Sequence, residues 1–163
     1  MKVYSDGIDI TPAVGNLSWQ NSIAELATTM NFDVAKSDAQ HTHIYLPREG
    51  SIIQMHTNEE MFRGIVLTVD DGDKTKNTYT AADFGWYLNK SKETYQFNNM
   101  PASKAIRKVC ADFNIDIDSI HPLETKITKI YFDETIAEIL QDILEICGGG
   151  YNLDMTPKGL RIY

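Results

Sequence analysis

The chain has two cysteines and four histidines in 163 residues, and fewer cations than anions, 15 Lys and Arg against 23 Asp and Glu. Each scarcity removes a class of function. Cys110 and Cys147 are too few and too far apart in sequence for the disulfide framework that staples small secreted domains, so they read as two buried thiols made in a reducing cytoplasm. The net charge of −8 argues against a protein that grips phosphate backbones, because such binding rests on clustered Lys and Arg. No apolar run approaches the roughly 18 to 20 residues that cross a bilayer as a helix, and no membrane anchor is expected. The opening MKVYSDGIDI has one lysine and no apolar h-region, so no secretory leader is expected either.

Catalytic signatures are scarce as well. No GxSxG elbow, HExxH helix or SxxK motif occurs. Glu59 and Glu60 are sequence neighbours that would point to opposite faces of a strand, where they could not cooperate. His41 and His43 would share a strand face, with His56 on a neighbouring strand, but the spacing is no specific metal signature; His121 sits beside Pro122 in a loop. Asp70, Asp71 and Asp73 invite a calcium reading, yet Lys74 and Lys76 stand where further oxygen ligands would be wanted, and a solvated hairpin loop is the better account. Gly148 to Gly150 follow a helix, at its negative end, whereas a phosphate-cradling loop precedes one; they are expected to cap it. No catalytic residue, cofactor or metal site is assigned, and an enzyme is not expected.

What the chain does have is two kinds of periodicity. In LATTMNFDVA the residues Leu26, Thr28, Met30, Phe32 and Val34 alternate with Thr29, Asn31 and Asp33, as in a strand wetted on one side. SIIQMHT, MFRGIVLTVDD and NTYTAADF continue the period of two, with DDGDKTKN as a hairpin loop. GIDITPAVGNLSWQNS is extended too, but Pro12 and Gly15 place it at an edge or bend. Past Ser91 the pattern turns helical. Ala102, Ala105, Ile106, Val109, Cys110 and Phe113 form one stripe, with Pro101 in the first turn and Asn99 or its successor as cap; Ile136, Ile139, Leu140, Ile143, Leu144 and Cys147 form another, with Thr135 and Glu138 as a capping box. KITKIYF reads as a strand between them, and TPKG as the turn of a final hairpin. The reading is α+β, with an antiparallel β-barrel domain over 1–90 and a small α+β domain, helix-strand-helix-hairpin, over 91–163.

The aromatics of YTAADFGWYLNKS, namely Tyr79, Phe84, Trp86 and Tyr87, fall where the pattern changes. Such side chains suit a ligand wall or the seam between packed layers equally well, and the seam is the expectation here.

Phe62, Gly64 and Val66 (F-x-G-x-V), Tyr79, Ala81 and Asp83 (Y-x-A-x-D), YLNKS from Tyr87 to Ser91, A-S-K-A-I from Ala102 to Ile106, and the D-F-x-I turn of Asp112, Phe113 and Ile115 follow in order, after the Trp-led LSWQNSIAELATTMNFDV. This order resembles the XkdQ/YqbQ-like proteins of defective prophages, relatives of the baseplate hub of contractile phages. The resemblance implies a tail-tube-like barrel with an inserted α+β domain, and a non-enzymatic hub component joining tail tube and spike as a homo-oligomer. A trimer is implied for the assembled hub, and a monomer is conceivable for this short chain. It further implies LysM-containing tail proteins as neighbours, no specific nucleic acid, and synthesis in the bacterial cytoplasm before incorporation in the tail of a virion or bacteriocin-like particle. Further β structure is implied after GLRIY. Rival readings are a cell-envelope glycan binder using Trp19, Trp86 and Tyr87, or a protein associated with peptidoglycan hydrolysis.

Overall fold

The computed structural model describes residues 1–22, 26–37 and 44–163. They form two compact units, one of Met1–Ser22 with Ala27–Phe84, the other of Leu26 with Gly85–Tyr163. The fold is a β-rich α+β fold.

In the first unit β1 (Lys2–Ser5), β2 (Ile8–Asp9), β3 (Val14–Ser22), β4 (Ala27–Ala35), β5 (Ile52–His56), β6 (Glu60–Asp70) and β7 (Lys76–Asp83) make one sheet in the order β2-β1-β5-β6-β7-β4-β3. Every pairing in it is antiparallel. Asp6 and Gly7, both at positive φ, make the two-residue turn that sets Ser5 opposite Ile8. The alternation seen in the sequence becomes one buried face, where Met30, Phe32, Val34, Ile53, Met55, Phe62, Val66, Tyr79 and Ala81 share a core with Val3 and Ile10. Among the described residues β2 and β3 do not pair with each other, and the sheet is a curled half-barrel.

The motif residues of β6 and β7 have a common physical basis. Tyr79 lies opposite Phe32 and stacks on it, ring centroids 5.1 Å apart. Ala81 lies opposite both Met30 and Val66, a small side chain between two larger ones. At the end of the strand the Asp83 carboxylate accepts a 2.9 Å hydrogen bond from the Thr28 amide, one residue beyond the last β4–β7 pair. Gly64 faces the same end. A Cβ there would stand 2.2 Å from the Ala82 carbonyl oxygen, so only glycine fits.

The second unit contains α1 (Gly85–Lys90), β8 (Lys92–Pro101), α2 (Ala102–Asp112), β9 (Ile117–Ile120), β10 (Lys126–Thr135), α3 (Ile136–Ile146), β11 (Leu153–Thr156) and β12 (Gly159–Ile162). β8 and β10 pair as an antiparallel ribbon, and β11, β12 and β9 make a second sheet whose β12–β9 pair is parallel. Both predicted stripes are buried: Ala102, Ala105, Ile106, Val109 and Cys110 from α2, and Ile136, Ile139, Leu140, Ile143 and Leu144 from α3. The capping box of Thr135 and Glu138 is formed. At the other end of α3, Gly148 has φ 106°; its amide bonds the Glu145 carbonyl and the Gly149 amide bonds that of Leu144, the paired bonds of a Schellman cap.

Three details depart from the sequence reading. The stretch after Ser91 opens with the strand β8, whose Tyr95 and Phe97 point inward, before any long helix. Pro101 ends that strand and precedes α2, which has no side-chain cap; its first amides bond the Thr125 and Leu123 carbonyls instead. Leu26, expected on the strand face of Met30, packs in the second core.

Gly64→Ala should lower stability by about 1–3 kcal/mol through overpacking, whereas Gly15→Ala, with nothing within 4 Å of the added Cβ, should change it far less. Urea midpoints of the two variants compare them directly. Equal midpoints would show that the β6–β7 approach is not as tight as described.

Candidate docking surfaces

In the first unit both edge strands of the sheet carry an exposed apolar side chain. β3 is nine residues long, pairs among the described residues with β4 alone, and carries no charged residue in VGNLSWQNS. This edge has no lysine, proline or inward charge, and its guard against pairing is the bulge between Gly15 and Ser18, where Asn16 has φ 50°. Trp19 lies opposite the buried Met30 and so shares the core-side face, yet 54% of it is exposed, since among the described residues no strand pairs with the outer side of β3. Leu17, on the same face, is half-buried against the core. At the opposite edge Ile8 of β2 is 46% exposed.

In the second unit the ribbon has two unlike faces. Tyr95, Phe97, Ile127 and Tyr131 are buried, while Ile130 and Phe132 are 63% and 78% exposed. The hydroxyls of the buried tyrosines reach acidic partners: Tyr131 donates to Asp142 at 2.6 Å and Tyr95 to Asp112 at 2.9 Å. Burial, then the neighbouring carboxylate, pushes both hydroxyls above the ordinary tyrosine range. They anchor side chains and stay protonated. A shallow cleft beside them is lined by Glu93, Gln96, Lys108, Asp112 and Phe113, but Asp112 already receives Tyr95 and the Lys108 ammonium at 2.7 Å.

The most strongly perturbed carboxylate is Asp33, on the outer face of β4. Lys76 stands 2.7 Å from it, and the Asn16 amide and Thr78 hydroxyl donate to it at 2.6 and 2.7 Å. These groups, the lysine first, hold its pKa down to about 2. The cluster ties β3, β4 and β7 together on the side away from the core.

The residues singled out from the sequence are scattered. His41 and His43 lie outside the described residues. His56 sits edge-on to Tyr4, ring centroids 5.5 Å apart, and His121 lies 5.9 Å from the Tyr151 ring. Asp70 accepts from the Gly72 amide, Asp73 accepts from Thr75, and the Lys36 ammonium bonds the Asp71 and Asp73 carbonyls, so the acidic loop is organised as a turn. Among the described residues no group of three His, Cys, Asp or Glu could hold a metal ion. Glu60 forks onto Arg63 at 2.8 and 2.9 Å. Cys110 is fully buried, its thiol pushed up to about 11 by burial, and Cys147 is half-buried.

The aromatic stretch does not form one wall. Tyr79 is buried in the first core, Phe84 and Tyr87 are exposed, Trp86 is half-buried, and the buried residues of α1 are Gly85 and Leu88. Sequence reasoning missed Asp33, Ile130 and Phe132. Asp33 looked like an ordinary wetted position, and the adjacent apolar residues Ile130, Tyr131 and Phe132 were the only hint that the ribbon's outer face is apolar.

Residues 17–147 match the YqbQ-like family, and the chain belongs to it. It is 33% identical over 128 residues to the uncharacterized protein YqbQ of Bacillus subtilis strain 168, covering 74% of this chain and 39% of that protein. To the phage-like element PBSX protein XkdQ of the same organism it is 26% identical over 116 residues, covering 69% and 35%. Its fold is similar to the 43 kDa tail protein of prophage MuSo2 from Shewanella oneidensis (TM-score 0.69, 19% identity, 99% of this chain and 53% of that one). It is also similar to a tail protein of Neisseria meningitidis MC58 (TM-score 0.75, 14% identity, 99% and 49%). The chain thus spans less than two fifths of these curated relatives and about half of the solved structures.

Two measurements check this account. Because the folded Asp33 carboxyl lies below its unfolded value of 3.8, its stabilisation is present above that pH and is lost as pH falls towards about 2. After allowance for solvent screening, Asp33→Asn should cost about 1–2 kcal/mol near neutrality, with the difference from the parent closing by about pH 2. A difference that stays constant over urea titrations across that range would exclude a role for the charge. Secondly, Leu88→Ala should cost about 2–4 kcal/mol in thermal or urea unfolding, and Trp86→Ala clearly less, in keeping with their burial.

Proposed function

We propose that the protein is a structural, non-enzymatic component of the baseplate hub of a contractile phage tail or phage-tail-like particle, linking tail tube and spike by oligomerisation. The observation that carries this reading is the long uncharged edge β3 with Trp19 exposed beside it, in a chain of the YqbQ-like family. A free edge is a hazard in a monomer and a ready interface in an assembly. Similarity to XkdQ, a phage-like element protein, and to the two tail proteins of like fold supports the same setting.

In this role the curled sheet serves as a wall of tail-tube type and the second unit as a docking body. Tube, spike and LysM-containing tail proteins are the neighbours, and the full assembly is a homo-oligomer, with three copies the favoured number. The excess of acidic groups suits a passage that must let a polyanion or an ejected chain move without holding it. The protein would be made in the bacterial cytoplasm and built into the particle there.

A gold-labelled tag on the chain, expressed in a host that makes tailed particles, should appear at the baseplate in electron micrographs. Its absence from purified tails, or label along the sheath, would overturn the assignment. Zymography on peptidoglycan should show no clearing, and a cleared band would require an enzymatic role instead.

A further inference from the structure

The strand and helix at the centre of the second unit are built twice. Residues 92–115 and 126–149 follow the same course, each position standing 34 residues before its equivalent. The buried stripes of α2 and α3 correspond position by position. Asn99 and its equivalent Asp133 have φ 49° and 53°, and each donates its amide across the ribbon to a threonine: Asn99 to Thr128 at 2.9 Å, Asp133 to Thr94 at 3.3 Å. These threonines are themselves equivalent. The amides that open the helices, of Ala102 and Ile136, bond the Thr125 and Ser91 carbonyls, again a matched set. Gln96 lies opposite Ile130 and is also its equivalent, so a pseudo-twofold axis crosses the ribbon at that pair.

Equivalent positions meet the same local architecture, and one half therefore shows what the fold requires of the other. On the outer face of the ribbon the exposed Gln96 and Asn98 of the first half are replaced in the second by Ile130 and Phe132, 63% and 78% exposed. At the ends of the helices Asp112 is replaced by Ile146, 42% exposed. The fold accepts polar groups at all three places, so the apolar ones answer no requirement of packing. Charge divides the same way. Residues 92–113 hold four cations and two anions, whereas the equivalent 126–147 hold two cations and five anions, and α3 has no cation at all.

We infer that the β10–α3 half is a docking face for an amphipathic helix of a partner protein, one whose apolar stripe is flanked by lysine or arginine. Phe132 and Ile130 are the anchors, and the surrounding acidic groups select the flanking cations. The ribbon's outer face presents side chains, not a free backbone ladder, which suits a helix laid across it, as α2 and α3 already lie on the inner face. The inference goes beyond the hub reading, concerns the second unit alone and does not involve β3.

The test borrows the residues that the first half uses. The double variant Ile130→Gln, Phe132→Asn changes two exposed positions and no charge, so its thermal midpoint should stay near that of the parent. The probes are two labelled synthetic peptides patterned as amphipathic helices, one of leucine and lysine and one of leucine and glutamate, followed by fluorescence anisotropy. The parent should bind the lysine peptide about tenfold or more tightly than the glutamate peptide, and the double variant should lose about tenfold of that affinity. Glu145→Lys should narrow the preference between the peptides. A parent that binds neither peptide, or both alike, overturns the inference. So does a double variant that binds the lysine peptide as well as the parent, since attraction to the net charge of −8 would then be the whole effect. Self-association of the parent that the double variant abolishes would make the occupant a second copy and overturn the partner named here.

Discussion

Strand β7 is clasped on both sides, and the register of the first unit depends on that clasp. Against β4 the Tyr79 ring stacks on Phe32, and against β6 the backbone of Ala82 comes so close to Gly64 that no Cβ can intervene. A slip of one residue would send Tyr79 to solvent and push a side chain into the place of glycine. The Asp83–Thr28 bond then closes the end of the ladder, and Asp33 secures the opposite face through Lys76, Asn16 and Thr78. The motifs F-x-G-x-V and Y-x-A-x-D are therefore packing instructions.

With its centre so constrained, the sheet ends abruptly. β2 is two residues long and leaves little to pair, but β3 keeps its whole length and an uncharged composition. The centre of the core and the proposed interface thus lie on different strands. The second unit repeats this division. Tyr95, Phe97 and Tyr131 face the helices, and Ile130 and Phe132 face outward.

The two units are built by different physics, and this explains what could be read in advance. α2 and α3 carry strong stripes, so their burial, the capping box at Thr135 and the glycine stop at Gly148 were legible from local chemistry. The inward faces of β4, β5, β6 and β7 were legible because one side of each strand is wetted. β8 was not, since KETYQFNNMP offers only Tyr95 and Phe97 as apolar alternation and ends next to a helix. Pro101 misled because proline suits a first helical turn as well as the end of a strand, and the capping carbonyls come from Thr125 and Leu123, far along the chain.

The sequence by itself determined the class of the protein: β-rich with two amphipathic helices, acidic, poor in cysteine, and ordered in motifs that resemble one family. These are properties of composition and short-range periodicity, which each residue carries wherever it lies. Only the tertiary structure decided that the sheet is an open half-barrel, that Leu26 joins the second core, and that β3 is an edge with Trp19 exposed. Trp19 is equally visible in the string either way. Whether it is core or interface depends on a neighbouring strand that is or is not there, and strand order is set by contacts between residues distant in sequence.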